Sequence, residues 1–162
     1  MNQHHCLPKP TTGCLARLLR HGSVAALLLT VLAPSTRDAL AQSPVRQPAP
    51  KGAQVYFHYP LDGLRVPERF TVRMGLKEMG VAPAGTEWPN SGHHHLLIDT
   101  DPGPLDQPIP SDYNNIHLGN GQTEVVVTLP KGTHTLQLLL GDHTHTPHNP
   151  PVMSRKITVY VR

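Results

Sequence analysis

Histidine is the residue most able to do chemistry in this sequence: 12 of 162 residues, against two cysteines. Nine of the 12 lie beyond residue 41, and seven of those nine fall in three short segments. The first is Gly92-His93-His94-His95. The second is His117, in the run His117-Leu118-Gly119-Asn120-Gly121-Gln122-Thr123-Glu124. The third is Asp142-His143-Thr144-His145-Thr146-Pro147-His148, while His58 and His134 stand apart. Neutral imidazoles with carboxylates nearby suit Zn²⁺ or Cu²⁺, so copper or zinc is the expected cofactor. Cys6 and Cys14 both precede residue 41, which removes thiolate from the ligand inventory beyond it. Blue-copper electron transfer needs a Cys ligand and is excluded, and iron–sulfur or Cu(I) chemistry is disfavoured.

Spacing narrows the choice. In a β-strand, side chains two apart share a face, so His93 and His95 point one way and His94 points the other way with Leu96 and Ile98. His143 and His145 share a face if that segment is extended. The candidate ligands are therefore His93, His95, His143 and His145, with His117 and His148 in reserve. His94, Glu124 and Asp142 are candidates for orienting the ligating rings. Two other readings use the same residues. One is a structural or pH-responsive histidine network in an envelope or interaction domain, since imidazoles crowded together repel when protonated. The other is a metalloenzyme, for which His-x-His spacing is present but no catalytic set is legible.

Other chemistry is weakly supported. Asp99-Thr100-Asp101-Pro102-Gly103 lacks the further oxygen ligands of a calcium loop and fits Asx turns better. Ser91, Ser111 and Ser154 have no nucleophile-elbow context. Gly119-Asn120-Gly121 is a turn with no helix after it, and Trp88 is as well explained by loop anchoring as by ligand stacking.

The elements that would bring these histidines together are strands. Short β-type runs at Gln54–Tyr59, Phe70–Leu76, His93–Asp99, Thr123–Leu129, His134–Leu140 and Lys156–Arg162 are separated by Pro, Gly and Asn clusters. Phe70, Val72, Met74 and Leu76 alternate with Thr71, Arg73 and Gly75, the period of a half-buried strand. Six to eight such strands predict an all-β, immunoglobulin-like antiparallel sandwich over residues 53–162, with a small barrel as the alternative. In that topology the start of the third strand and the end of the fifth share a pole, and the His117 segment enters nearby.

Residues 1–41 read as a secretory signal peptide: Lys9, Arg17 and Arg20, the apolar run Val24–Ala33, then Ala39-Leu40-Ala41 before a cut at Gln42. Cleavage there would remove four of 14 basic and one of 11 acidic residues, leaving ten of each. Nucleic-acid binding and polybasic membrane binding then lose their support. A copper brace on an amino-terminal His is not expected, because Gln42 would be the first residue. No apolar run reaches the roughly 20 residues of a spanning helix. The expected location is periplasmic or secreted, with no protein partner indicated. Residues 42–52, with three prolines and no apolar periodicity, read as a flexible linker.

The stretches GHHHLLID (Gly92–Asp99), HLGNGQTE (His117–Glu124), GTHTLQLLLGD (Gly132–Asp142) and HTPHNPPVMSRKITVYV (His145–Val161) resemble, in this order, the bacterial exported family called domain of unknown function 4399. The resemblance implies a small extracytoplasmic domain and carries over no activity and no ligand set.

Overall fold

The computed structural model describes residues 45–162, so the expected signal peptide lies outside the described residues. Nine strands follow one another: β1 (Gln54–Tyr59), β2 (Leu64–Val66), β3 (Arg69–Lys77), β4 (Gly80–Val81), β5 (Ser91–Ile98), β6 (Asn115–His117), β7 (Glu124–Thr128), β8 (Gly132–Gly141) and β9 (Ile157–Val161). They divide into a three-stranded sheet, β1-β3-β7, and a six-stranded sheet, β2-β9-β8-β5-β4 with β6 added on β5. The result is sandwich-like and all-β among the described residues, not a closed barrel.

Alternation along the strands decides what lies between the sheets. Phe70, Val72 and Met74 of β3 and Val127 of β7 face Leu96 and Ile98 of β5, Leu136, Leu138 and Leu140 of β8, and Val159 and Val161 of β9 across one buried cluster. Each such side chain contributes about 1.5–3 kcal/mol by leaving water.

β5 differs from an ordinary half-buried strand, because every residue from Gly92 to Ile98 is buried. On one side it pairs antiparallel with β8, setting His93 opposite Gly141 and His95 opposite Leu139. On the other it pairs with β4 and β6, setting His95 opposite His117. Its outward face is roofed by irregular segments: Leu97 and Leu139 pack there with Ile109 and Leu105 in a second, smaller cluster. That roof gives the outward-facing histidines a dry setting.

Three short strands lie outside the runs that the sequence pattern marks. β2 and β4 have three and two residues and pair in parallel, and β6 has three, all too short to show a period. Part of the expected flexible linker is also held. Asn149 N–H donates to the Gln47 carbonyl (2.8 Å) and Ala49 N–H to the Asn149 carbonyl (3.1 Å). Arg46 donates from Nε to the Pro147 carbonyl (2.9 Å) and from Nη2 to the His148 carbonyl. Prolines keep this segment extended, and the backbone of residues 147–149 offers it partners, which composition does not reveal.

Candidate metal centre

β5 supplies the base of the site. His93 and His95 leave the outward face of the strand, fully buried, with their Nε2 atoms 3.1 Å apart and the ring centroids 4.9 Å apart. β6 brings His117 alongside, its ring 5.0 Å from that of His93 and 5.1 Å from that of His95. One nitrogen from each of these three residues lies within 4.8 Å of the others. His145 hangs over them from the loop after β8, its ring 4.7 Å from His117, 5.0 Å from His93 and 6.1 Å from His95.

Two glycines make the crowding possible. A Cβ on Gly119 would sit 2.3 Å from the His117 ring, so that ring lies directly over bare backbone. A Cβ on Gly141 would come within 3.0 Å of His95 Nε2 and 3.3 Å of the His145 backbone.

The electrostatics favour uncharged rings. Burial, reinforced by the neighbouring His145 and His117, lowers the pKa of His93 to about 4. Burial and the adjacent His93, His117 and His145 lower that of His95 to about 2. His117 is lowered by burial and by His145. At neutral pH these rings therefore present lone pairs, the form a metal ligand must have. Their hydrogen bonding is incomplete: Nδ1 of His93, Nδ1 of His95 and Nε2 of His117 are buried without a protein partner. A buried polar group left so costs about 1–3 kcal/mol.

The other candidates lie elsewhere. His143 sits on the same loop as His145 but lines a separate cleft of about 390 Å³ with Trp88, Glu87, Asp142 and His148. It does not share a face with His145, because the loop is turned and not extended. His148 is buried against β5 and donates from Nε2 to the Ser91 carbonyl (3.2 Å). His94 points into the core between the sheets, away from the ring cluster. Glu124 belongs to the other sheet and pairs with Arg73 in solvent, 3.2 Å away. Asp142 makes no hydrogen bond to a ring among the described residues, although its charge opposes the lowering of the His93 and His148 pKa values; its Oδ1 accepts from Thr144 N–H (2.8 Å), Thr144 Oγ1 (2.7 Å) and Thr146 N–H (3.0 Å). It shapes the loop that carries His145.

Residues 72–162, more than half of the chain, match the family model described as Domain of unknown function (DUF4399). This chain belongs to the DUF4399 family. No curated protein matches the sequence. Among solved structures, the endo-beta-1,4-mannanase from Thermotoga petrophila is similar at 16% identity and a TM-score of 0.41, over 68% of this chain and 20% of that one. This chain thus spans about a fifth of the mannanase, a likeness too distant to bear on activity.

Within the DUF4399 domain, Gly119 offers a selective probe of the cluster. Gly119→Ala pushes the His117 ring off its seat while leaving β5 and the core intact. Expected is a loss of metal affinity of at least about tenfold, the lower end of what misplacing a ligand costs. The far-ultraviolet circular dichroism spectrum should stay unchanged. Isothermal titration with Zn²⁺ checks the first, and unaltered affinity would show that His117 does not ligate.

Proposed function

We propose that this exported DUF4399 domain binds a divalent transition metal, Zn²⁺ or Cu²⁺, through His93, His95 and His117. The observation that carries the reading is the spacing of the rings. With metal–nitrogen bonds of about 2.0–2.1 Å, imidazole centroids lie about 3.2 Å from the ion, and a tetrahedral arrangement then separates them by about 5.2 Å. The three separations here are 4.9, 5.0 and 5.1 Å. An all-imidazole donor set, without thiolate, selects Zn²⁺ and Cu²⁺ over Cu⁺, and without carboxylate it disfavours Mg²⁺ and Ca²⁺.

A purely structural histidine network is less well supported, because the Nε2 atoms of His93 and His95 share one contact of 3.1 Å while Nε2 of His117 is buried beside them without a partner. Export to a periplasmic or extracellular compartment is part of the proposal and rests on the character of residues 1–41. Equilibrium dialysis of the untagged chain against Zn²⁺ and Cu²⁺ tests the function. One ion per chain is expected, lost on replacing His93 and His95 together by Ala. Stoichiometric binding that survives that double substitution would place the ion elsewhere.

A further inference from the structure

His145 reaches the cluster by an unusual route. It is one of four described non-glycine residues with positive φ, at 70°, a left-handed conformation disfavoured for a residue with a Cβ. The surrounding loop holds it there from both ends. At the near end, the Asp142 carboxylate gathers Thr144 and Thr146, and His145 N–H donates to the Asp142 carbonyl (2.9 Å). Above, the His145 carbonyl accepts from Ile109 N–H (2.9 Å). At the far end, the Arg46 guanidinium grips the carbonyls of Pro147 and His148. Strained backbone persists where its surroundings over-determine it, and it gathers at functional sites.

What that strain achieves is a fourth ring at the cluster. Its ring lies 4.7 and 5.0 Å from those of His117 and His93, the spacing of a shared tetrahedron, but 6.1 Å from that of His95, and it stands outside the trio whose nitrogens lie within 4.8 Å of one another, so closing the site requires the loop to move inward. His145 is half-buried, whereas His93 and His95 are fully buried, so His145 forms the outer wall of the site.

We propose that His145 is a gate ligand: it closes a four-imidazole site around the ion, and the Arg46 clasp on residues 147–148 keeps that gate shut. This rests on the three-histidine reading and extends it. A site with four protein ligands has no open position for substrate, so the domain holds its ion as cargo or as a structural element and does not activate water on it. Exchange with solvent or with an acceptor then requires the loop 142–148 to lift.

Co²⁺ substitution reads the coordination directly, since tetrahedral Co²⁺ absorbs far more strongly in the visible than five- or six-coordinate Co²⁺. His145→Gly is the informative variant, because glycine accepts positive φ and the backbone strain disappears along with the ligand. The full-length parent protein should give intense tetrahedral bands. His145→Gly should give weak ones and bind Zn²⁺ at least about 100-fold less tightly, above what loss of an orienting partner costs. Free imidazole should restore the parent spectrum by filling the vacated position. Arg46→Ala should keep the tetrahedral spectrum but release Zn²⁺ to a chelator about tenfold faster. If the parent binds Co²⁺ and His145→Gly shows the same spectrum and affinity, the gate is overturned while the three-histidine site stands. If the parent binds neither ion, the underlying function fails instead. An Arg46→Ala release rate equal to the parent's overturns the clasp.

Discussion

Replacing His94 by Leu is expected to stabilise the metal-free protein by about 2 kcal/mol or more and to leave its affinity for Zn²⁺ within about threefold of the parent. His94 is fully buried, and both Nδ1 and Nε2 lack a partner. Its neighbours along that face of β5 are Leu96 and Ile98, members of the apolar cluster between the sheets. Burial alone pushes its pKa down to about 4, so the ring is neutral and its two polar atoms are desolvated without compensation. Leucine is close in volume and carries no polar atom, so the change removes a cost without opening a cavity. The backbone role survives, since the His94 carbonyl still accepts from Leu118 N–H (3.1 Å). Urea denaturation in the presence of chelator measures the gain, which corresponds to a rise in Tm of roughly 8 °C or more for a domain this size. A fall in stability would mean that a partner satisfies the ring, and a fall in affinity would mean that His94 orients the ligands from behind.

That expectation turns on a distinction the sequence already makes: period-2 alternation separates His94 from His93 and His95. The same alternation makes Phe70, Val72 and Met74, or Val159 and Val161, readable as core, because both faces of a strand are fixed once one is buried. The rest of the site was harder to read, for physical reasons. His117 joins the cluster through β6, a strand of three residues between turns, and three residues carry no period to detect. Gly119 was visible as a turn residue, but the ring lying over it depends on a contact in space. The choice between His143 and His145 rests on loop conformation. Extended chain would give them a common face, whereas Asp142 folds the segment into a turn and His145 takes a left-handed φ. The Asp142-His143-Thr144-His145-Thr146 pattern is a signal for such a turn, since Asp side chains capture backbone N–H groups two residues on. The docking of residues 46–49 had no comparable signal, because proline-rich chain is extended whether or not it is bound.

The second large effect expected is acid lability of the metal-free protein, and its sign follows from the direction of the shifts. Burial is the largest cause for each and holds His93 and His94 at about 4 and His95 at about 2, whereas in the unfolded chain each titrates near 6.5. Above pH 6.5 neither state carries the protons. Between pH 6.5 and about 4 the unfolded chain takes up close to three that the folded protein refuses, so stability falls as pH falls. Three protons correspond to a slope of about 4 kcal/mol per pH unit. A domain whose stability is at the low end of the ordinary range, about 5 kcal/mol, is then expected to unfold near pH 5, and one of about 9 kcal/mol near pH 4. His134 works in the opposite sense. Burial would lower its pKa, but the Asp99 carboxylate at 2.6 Å and the Pro130 carbonyl at 2.9 Å outweigh that and raise it. Its contribution is complete below 6.5 and lost only as pH rises through the folded value, so it does not offset the slope in the acid window. Zn²⁺ at a thousandfold excess over its dissociation constant adds about 4 kcal/mol to the folded state, which moves the transition down by about one pH unit. His94→Leu removes one of the three protons, so its transition is shallower as well as lower. Circular dichroism against pH, with and without Zn²⁺, measures all three curves. A metal-free protein whose stability is level from pH 7 to 4.5 would mean that the buried rings accept protons in the folded state, and the dry, neutral cluster on which metal binding depends would not exist.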